Sequence, residues 1–488
     1  MKLLDLLYET GIKCPMDMQD TDITGISIDS RKVKKGNLFV CMKGYQTDGH
    51  IYAVEAAFHG AAAVITQDEF AVDLQSIPVL QTDDTRKVIS QLAKNFYQDP
   101  SEKMTVFAIT GTNGKTTTTY MLKAILEEAD YPCGVIGTVG YRYGDKEYES
   151  TRTTPESFEL QRMFCEMRNE GIEHCTMEVS SHGLALHRVD DIHFSYTAFT
   201  NLTQDHMDFH SSEEEYYQAK KTLFFIGDST SAVNIDDAYG NRLYEELKEA
   251  GRKVCSYSLK NENADFYGEI IKNDAAGCGI HFFQNKKKIG ELYLKTPGLF
   301  TLYNTLCAAS LATLNGIVFS CIQTALHKLE GVPGRFEVVP NEKGITAIVD
   351  YAHTPEALRM VLKTAKDFTA GRLICVFGCG GDRDRSKRPI MGEIAGIFSD
   401  FCIITSDNPR TEDQKCIAAE IEKGLIKTGC DYTIINNRMK AIQKAIQIYE
   451  TNDVIIIAGK GHECYQIIGS AKNYFNDKEI TQRIIQDL

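Results

Sequence analysis

Short apolar runs alternate with amphipathic stretches of helical period along the whole chain. In the first hundred residues, apolar runs at 38–42 and 62–66 predict strands, because strands read as short runs rich in β-branched residues. The stretches at 51–60 and 86–97 predict helices. Asp99-Pro100 then interrupts the pattern, as a proline dipeptide commonly does between structural units. The pattern therefore predicts that a first domain ends here.

The next segment opens with an apolar run at 104–109 that glycine follows, which predicts a buried strand. A helical pattern comes directly after it and ends near Pro132. Apolar runs at 175–179 and 196–200 predict further strands. Since strands that alternate with helices are typical of βαβ units, we expect a parallel sheet in this segment.

The last segment begins after a turn-rich stretch at 331–334 and repeats the alternation. Its predicted strands are 345–349, 373–377, 401–405 and 454–458, and its predicted helices are 355–366, 388–399, 413–427 and 437–449. Each of the four strands ends in a polar or glycine-rich tip. Because ligands of open parallel sheets bind beyond the carboxyl ends of the strands, the four tips predict a binding cleft.

Composition and charge narrow the class of protein. The 488 residues suggest three domains at about 150 residues each. A net charge of −14 argues against nucleic acid as the main partner, since phosphate backbones require basic surfaces. No apolar run approaches the roughly 20 residues that span a bilayer, and the first residues, with Asp5 and Glu9, do not resemble a signal peptide. We therefore expect a cytoplasmic protein without membrane contact, whose fifteen cysteines are reduced thiols.

The sharpest motif is TGTNGKTTTTY at 110–120, between a predicted strand and a predicted helix. A strand, a glycine turn and a helix N-terminus surround a phosphate with backbone N–H groups. Lys115 can reach the β- and γ-phosphates of a nucleotide, and the Thr116 hydroxyl can bind Mg²⁺. The general loop is GxxxxGK[ST], but Ile109 stands at the first glycine position, so the loop has the shorter spacing GxxGKT. Its position between strand and helix nevertheless predicts nucleotide binding.

Two further strand ends carry candidate metal and anion ligands. Glu178 ends one strand and could reach a magnesium ion held by Thr116, and the loop MEVSSHGLALHR that contains it suits an anionic substrate. The next loop, TNLTQDHMDFH, holds Asp205, His206, Asp208 and His210. This loop is an ordinary polar loop, a zinc site or a magnesium site. Because no cysteine or HExxH arrangement accompanies these residues, magnesium is favoured over zinc. On the residues alone, Lys220 has no special role, since lysines of this kind are usually exposed.

The tips of the last segment combine acids, amides and guanidinium groups. Candidate residues are Arg335, Asp350 and His353, the basic run Arg383, Arg385, Lys387 and Arg388, the DNPR turn at 407–410, and Glu463. Asp407 and Glu463 could hold ammonium groups, while Arg410 and Arg383 hold carboxylates. Each residue alone reads as an ordinary loop residue, but their convergence predicts a site for a zwitterionic amino acid.

Taken together, the motifs resemble those of the Mur ligases. Nine motifs occur in the order seen in that family: TGTNGKTTT, EVSSHGL, TNLTQDHMDFH, the AK pair at 219–220, GRFE, DYAHTPEAL, GGDRDRSKRP, DNPR and GKGHE. The match also includes IDSRKVKKGNLFV near the start of the chain. The resemblance implies an α/β fold of three domains: 1–99 binds the UDP end of the substrate, 100–332 is a central parallel-sheet ATPase domain with the phosphate loop, and 333–488 is a Rossmann-like domain for the amino acid.

The family's functional residues carry over to matching positions of this chain. ATP-binding positions are Gly111, Thr112, Asn113, Gly114, Lys115, Thr116, Thr117, Asn304, Arg335 and Asp350; UDP-substrate positions are Ser30, Thr153, Thr154, Ser180 and Arg188; amino-acid positions are Arg383, Asp407, Asn408, Pro409, Arg410, Gly459 and Glu463; metal positions are Thr116, Glu178, His206 and Lys220. The resemblance makes Lys115, Lys220 and His206 catalytic and implies that Lys220 is carbamylated. Leu186 departs from the family's glutamine, so one polar substrate contact is expected to be missing.

The resemblance implies a ligase that consumes ATP with Mg²⁺ and joins meso-diaminopimelate to the D-glutamate γ-carboxylate of UDP-MurNAc-L-Ala-D-Glu, through an acyl phosphate, in peptidoglycan precursor synthesis. DNPR is the form associated with meso-diaminopimelate, because Arg410 can pair with the carboxylate that lysine lacks. Four alternatives stay open: a lysine-adding ligase, a folylpolyglutamate synthetase-like ligase, a phosphate-loop switch or motor NTPase, and a nucleotide-binding module without catalysis. A monomer is expected.

Overall fold

The computed structural model describes residues 1–44, 47–68, 74, 77–203, 205 and 209–488, and its first segment forms a small parallel sheet with helices beside it. Its strands are β1 (Gly25–Ser27), β2 (Asn37–Val40), β3 (Ala63–Thr66) and β4 (Val79–Gln81), paired in that order, and its helices are α1 (Leu3–Leu6), α2 (Ala53–Phe58) and α3 (Thr85–Tyr97). The predicted strands at 38–42 and 62–66 and the predicted helix at 86–97 are confirmed to within two residues. Asp84 begins α3 by accepting hydrogen bonds from the N–H groups of the first turn, the usual role of an N-cap.

The central segment is built on one large sheet. Its strands are β5 (Thr105–Thr110), β6 (Cys133–Ile136), β7 (Tyr141–Tyr143), β8 (Lys146–Tyr148), β9 (His174–Glu178), β10 (Tyr196–Phe199), β11 (Thr230–Asn234), β12 (Val254–Ser258), β13 (Phe266–Asp274), β14 (Gly277–Gln284) and β15 (Lys287–Leu294). The helices are α4 (Lys115–Glu128), α5 (Ser157–Asn169), α6 (Ser181–Ala185), α7 (Glu213–Lys221), α8 (Ala238–Glu249), α9 (Leu299–Leu314) and α10 (Phe319–Lys328). The strand order is β15-β14-β13-β12-β11-β10-β5-β9-β6-β7-β8.

The parallel sheet expected in the central segment is confirmed in its middle strands, and antiparallel strands are added at both edges. The strands from β13 to β6 in that order are parallel, but β14 and β15 run antiparallel to their neighbours, as do β7 and β8. The physical reason is the length of the connections. Turns of only a few residues join β7 to β8 and β13 to β14 to β15, and such turns can form only antiparallel hairpins, whereas a parallel pair needs a crossover.

The last segment is a second open sheet covered by helices. Its strands are β16 (Glu337–Val338), β17 (Thr346–Asp350), β18 (Leu373–Phe377), β19 (Phe401–Ile404), β20 (Asp431–Ile434) and β21 (Val454–Ala458), followed by the separate hairpin β22 (Tyr465–Ile468) and β23 (Ala471–Tyr474). Its helices are α11 (Pro355–Phe368), α12 (Lys387–Phe398), α13 (Gln414–Leu425), α14 (Arg438–Gln447) and α15 (Asp477–Gln486). The order is β16-β17-β21-β18-β19-β20, with only β16 antiparallel among these described strands.

The four strands and four helices expected in this segment are confirmed, and the structure adds β16, β20, the hairpin and α15. The new strands are short and partly exposed, so their sequences lack the long apolar run of β18. Along β18, Leu373 and Phe377 join the core on one face and Ile374 joins the core on the other. Because both faces of the strand are covered, only its carboxyl end is available to polar groups.

The structure describes all fifteen cysteines, and each is a free thiol. Among the described helices, none has both the length and the apolar character that a bilayer crossing requires.

Candidate functional site

The phosphate loop connects the end of β5 to the start of α4, as the motif predicts. Gly111 and Gly114 have φ values of +143° and +89°, which residues other than glycine rarely adopt. A Cβ at Gly111 would collide with Thr200 Oγ1, and a Cβ at Gly114 would collide with Asn304 Oδ1. Both glycines are therefore required by close packing as well as by the backbone. The same packing brings Asn304, a predicted ATP-binding residue, against the loop.

Two lysines donate hydrogen bonds to backbone carbonyl oxygens of this loop. Lys115 Nζ donates to the carbonyl oxygens of Gly111, at 2.7 Å, and Thr112, at 2.8 Å. Lys220, on α7, is 1% exposed, and its Nζ donates to the same Gly111 oxygen at 2.9 Å. Its Nζ also lies 4.5 Å from the centre of the Tyr216 ring. The expectation that Lys220 is an ordinary exposed lysine is therefore wrong.

Burial lowers the pKa of both amines. Desolvation lowers the pKa of Lys115, although the nearby carboxylates of Glu178 and Asp205 oppose the shift. Desolvation lowers the pKa of Lys220 well below its usual value, and the positive charge of Lys115 lowers it further. A neutral amine is the form that reacts with an electrophile, so the environment of Lys220 favours chemical modification.

Glu178 ends β9 and is 1% exposed. Thr138 holds both of its oxygens: the Thr138 N–H donates to Oε1 at 2.8 Å, and its hydroxyl lies 3.1 Å from Oε2. A Cβ at Gly137 would collide with Oε1, so a glycine is needed beside the carboxylate. Thr138 was not among the predicted residues. The signal that could have found it is a Gly-Thr pair directly after β6, at the same sheet edge as the phosphate loop.

A cavity of about 380 Å³ joins the phosphate loop to the neighbouring strand ends. Its lining consists of residues 112–117 together with Thr138, Arg152, Thr153, Glu178, Ser180, His182, Arg188 and Arg335. Predicted ATP-binding, metal-binding and UDP-substrate residues thus share one space. Arg335, from the last segment, reaches the same cavity. His182, from the loop expected to suit an anionic substrate, lies there too, as does Arg152, which was not a predicted site residue.

The oxygen donors of this cavity fit Mg²⁺. The Glu178 carboxylate and the Thr116 hydroxyl are hard ligands of the kind that Mg²⁺ prefers, and both line the cavity. Lys220 as an amine offers no oxygen, so it could serve only after carbamylation. His206 and Asp208 lie outside the described residues. The Asp48–His50–Asp68 cluster elsewhere fits a metal poorly, since His50 Nδ1 contacts Asp48 and its Nε2 accepts from the Gln67 N–H.

Thr154, Ser180 and Arg188 form a connected group beside Glu178. The Thr154 hydroxyl donates to the Glu178 carbonyl oxygen at 3.1 Å and accepts from the Ser180 N–H at 3.0 Å. Arg188 Nη1 donates to the Thr154 carbonyl oxygen at 3.0 Å, and its Nη2 lies 3.1 Å from Glu156. Desolvation lowers the pKa of Arg188, while Glu156 opposes the shift. This guanidinium is therefore oriented on the cavity wall by its own neighbours.

Ser30, the predicted contact for the UDP end, lies in the first segment and does not appear among the described residues that line this cavity. It is buried at the start of a short 3-10 turn, and its hydroxyl donates to Glu55 Oε2 at 2.6 Å. His59 Nδ1 contacts its carbonyl oxygen at 2.8 Å. An extended substrate would be needed to reach both Ser30 and the cavity.

Arg335 and Asp350 lie together where β17 ends. Burial raises the pKa of Asp350, and the Arg335 charge and two backbone hydrogen bonds oppose the shift. Those bonds come from the Phe336 N–H, at 2.7 Å, and the Ala352 N–H, at 2.8 Å. The Arg335 guanidinium lies 5.1 Å from the centre of the Tyr351 ring. Asp350 therefore shapes the turn that carries Arg335, while Arg335 itself faces the cavity.

Asn408 and Glu463 meet between the ends of β19 and β21. Asn408 Nδ2 donates to Glu463 Oε2 at 2.9 Å. Lys460, which the sequence did not single out, is 0% exposed, and its Nζ donates to Asn408 Oδ1 at 3.2 Å and to Glu463 Oε2 at 3.0 Å. Asp407 is also buried here, and a Cβ at Gly459 would lie 2.6 Å from its Oδ2. One oxygen of Glu463, which we expected to face a ligand, is thus already bonded within the protein.

The side chains of Arg410 and Arg383 both approach Gly380. A Cβ built on Gly380 would lie 3.0 Å from Arg410 Nη1 and 3.7 Å from Arg383 Cγ. Arg410 has a φ of +50°, and Pro409 precedes it in the same turn. Its Nη1 donates to the Gly381 carbonyl oxygen at 2.8 Å. The structure therefore brings the side chains of the two arginines assigned to carboxylate binding close to the same glycine.

Three families of known sequences match successive parts of the chain: "Mur ligase family, catalytic domain" at 22–97, "Mur ligase middle domain" at 109–312, and "Mur ligase, glutamate ligase domain" at 334–461. A UDP-N-acetylmuramoyl-L-alanyl-D-glutamate–2,6-diaminopimelate ligase of Caldanaerobacter subterraneus subsp. tengcongensis is 45% identical and covers 100% of this chain and 99% of its own. The ligase of the same name from Clostridioides difficile is 44% identical and covers 100% of both. The solved structure of a ligase of that name is similar with a TM-score of 0.72, at 31% identity over 100% of this chain and 99% of the other.

Proposed function

Because this chain belongs to the Mur ligase family, we propose that it uses ATP to join meso-diaminopimelate to the D-glutamate γ-carboxylate of UDP-MurNAc-L-Ala-D-Glu. The observation that carries the proposal is the single cavity in which the phosphate loop, Glu178 and Arg188 meet. Such a cavity can hold a triphosphate end beside a carboxylate that attacks it. The names of the relatives give the substrates, and buried Asp407 and Asn408 supply polar groups that an amino acid needs.

In the first step, the γ-carboxylate attacks the ATP γ-phosphorus and ADP leaves, which forms an acyl phosphate. The loop N–H groups and the start of α4 face the phosphates, and Lys115 turns from its loop carbonyls toward them. Mg²⁺, for which Glu178, Thr116, His206 and carbamylated Lys220 are the proposed ligands, supplies positive charge beside the phosphate oxygens. Asn304, which packs on the loop, and Arg335 with Asp350 serve the nucleotide.

The nucleotide-sugar substrate extends away from this centre. Arg188 and Ser180, with Thr153 and Thr154, hold its peptide end, and Ser30 contacts the UDP end. The pairing of Arg188 with Glu156 supports this role, because it holds a planar guanidinium on the cavity wall, ready to bind an anion. Half-buried Leu186 adds no polar contact here.

In the second step, an amine of meso-diaminopimelate attacks the acyl carbon, phosphate leaves and an amide remains. Asp407 and Glu463 bind ammonium groups, and Arg383 and Arg410 bind carboxylates. The approach of the Arg410 guanidinium and of Arg383 Cγ to Gly380 supports this assignment. Arg410 selects diaminopimelate over lysine because only diaminopimelate carries a second carboxylate for it.

We also propose that the last domain, 333–488, closes on the central domain, 100–332, and excludes water from the acyl phosphate. The position of Arg335 in the wall of the phosphate cavity supports this proposal. Small-angle scattering should record a smaller radius of gyration when an ATP analogue and the nucleotide substrate are both present. An unchanged radius would contradict closure.

The test of the function is phosphate release from ATP with Mg²⁺, UDP-MurNAc-L-Ala-D-Glu and a panel of amino acids. We expect release with meso-diaminopimelate and a product mass that corresponds to amide formation. Release with lysine alone would favour the lysine-adding alternative. Release without any acceptor would favour a switch or motor NTPase, and no release in any mixture would favour a non-catalytic module. Gel filtration with light scattering and fractionation of cells would test the proposed monomeric, cytoplasmic state.

A further inference from the structure

Lys460 is the most deeply enclosed charge of the amino-acid cluster, since its side chain is 0% exposed. Fully buried lysines are rare, because an ammonium loses its hydration unless polar groups replace the water. Here Asn408 Oδ1, at 3.2 Å, and Glu463 Oε2, at 3.0 Å, replace it. The ring of Tyr465 lies 5.5 Å away on a third side. The proposed two-step mechanism assigns no role to this buried lysine.

The first consequence of this contact is the orientation of the Asn408 amide. Its Oδ1 accepts hydrogen bonds from Lys460 and from the Ile467 N–H, at 2.9 Å. Its Nδ2 donates to Glu463 at 2.9 Å. The flipped amide would place its NH₂ group against two donors and its oxygen against a carboxylate. Lys460 thus contributes to fixing which end of Asn408 faces Glu463.

The second consequence is the orientation of Glu463. Asn408 Nδ2 and Lys460 Nζ both donate to Oε2, which leaves Oε1 as the oxygen that can accept from a ligand. Lys460 Nζ also places a positive charge 3.0 Å from this oxygen. Without it, Glu463 would be held by a single neutral donor of the described cluster.

We propose that Lys460 is a positioning residue for amino-acid binding: it orients Asn408 and Glu463 so that Glu463 Oε1 meets an ammonium group of the substrate. The inference rests on the proposed function of this site. Lys460 acts through its two partners, because its own nitrogen is enclosed by them.

The test is a comparison of Lys460→Met with wild-type enzyme in the ligation assay. We expect KM for meso-diaminopimelate to rise about 10–100-fold, as the loss of hydrogen bonds to a charged group implies. KM for ATP and for the nucleotide substrate should change less than about twofold, because the cluster does not line their cavity. Lys366→Met is the matched control: Lys366 pairs with Asp400 at 2.7 Å on the surface of the same domain, and its loss should leave every constant unchanged.

A double mutant separates positioning from general damage. In a Glu463→Gln background, Lys460→Met should raise KM for the amino acid much less than it does alone, since one of the groups it orients is already altered. Equal rises in both backgrounds would overturn the proposal, as would a parallel fall in all constants. If circular dichroism shows that Lys460→Met does not fold, Lys460→Gln replaces it. A selective rise in amino-acid KM then supports the proposal, and an unchanged KM overturns it.

The outcome for Lys460 can be told apart from the outcome for the proposed function. If wild-type enzyme turns over with another amino acid, the comparison uses that acceptor and still decides the role of Lys460. If wild type turns over and the variants match it, only the inference about Lys460 fails. If no amino acid supports turnover, the proposed function and this inference fail together.

Discussion

Lys115 and Lys220 lie 105 positions apart in the chain, yet their ammonium groups donate to the same carbonyl oxygen, that of Gly111, at 2.7 and 2.9 Å. Two positive charges on one acceptor repel each other, and neither has a carboxylate partner at hydrogen-bond distance among the described contacts. Burial lowers the pKa of Lys220, and the nearby charge of Lys115 lowers it further. The arrangement also suits a site that receives a triphosphate, since the negative phosphate oxygens relieve the repulsion.

The first prediction concerns Lys220 and pH. Because the folded pKa of Lys220 is lowered, the unfolded chain binds more protons below the unfolded lysine value of about 10.4, so stability rises with pH through this range. Lys220→Met removes this penalty. In buffers free of CO₂, the variant should melt above wild type at pH 7, and the difference should shrink as the pH approaches 10, measured by differential scanning fluorimetry.

The same variant should lose activity, because a methionine cannot be carbamylated. We expect kcat to fall about 10²–10³-fold, as when one charge-stabilising group is removed. Lys221→Met is the control: Lys221 pairs with Glu246 at 2.8 Å, and its loss should leave kcat near the wild-type value. Bicarbonate should raise the activity of wild type but not of Lys220→Met. Full activity in Lys220→Met would contradict the assignment.

The second prediction concerns Thr138, which holds both oxygens of Glu178. Thr138→Val keeps the N–H bond and the shape but removes the hydroxyl. The Mg²⁺ concentration for half-maximal activity should rise about 10-fold, as for other groups that orient a metal ligand. Thr138→Ser keeps the hydroxyl and should stay near wild type. Identical Mg²⁺ titrations for Val and Ser would contradict this prediction.

The third prediction concerns the glycine at the start of α4. Gly114→Ala would collide with Asn304 Oδ1, whereas Gly316→Ala, also at positive φ, meets nothing within 4 Å. Both changes should cost about 1 kcal/mol in backbone strain. Only Gly114→Ala should weaken ATP binding, by about tenfold or more, because it shifts the loop that faces the phosphates. Titration of a fluorescent ATP analogue would measure this, and equal affinities in both variants would argue against it.

The fourth prediction concerns Arg410. Arg410→Ala should raise KM for meso-diaminopimelate about 10–100-fold, since a charged hydrogen-bond partner is lost. KM for ATP should change less than about twofold. Arg359→Ala, which removes an exposed guanidinium near Glu356 in the same domain, is the control and should change neither constant. Equal effects of Arg410→Ala on both substrates would count against its role.

Much of this protein could be predicted from its sequence. The run at β18 and the period of α11 are local signals, because a strand buried on both faces must be apolar throughout and an amphipathic helix must repeat every three to four residues. The phosphate loop is also local, since a strand, a glycine turn and a helix suffice to form it. The direction of the edge strands was not predicted, because it depends on turns that the alternation of elements does not reveal.

Other features were decided by tertiary structure alone. The burial of Lys220 comes from the packing of α7 beneath a loop more than a hundred positions earlier in the chain, which no local pattern records. Thr138 gains its role from Glu178, the last residue of β9, and Lys460 gains its role from Asn408, in the loop after β19. A sequence motif indicates which side-chain and backbone atoms are available to a site. Which of those atoms lie within hydrogen-bond distance of each other depends on where distant strands end at the edge of the sheet. Only folding brings these strand ends together and removes the water between their side chains.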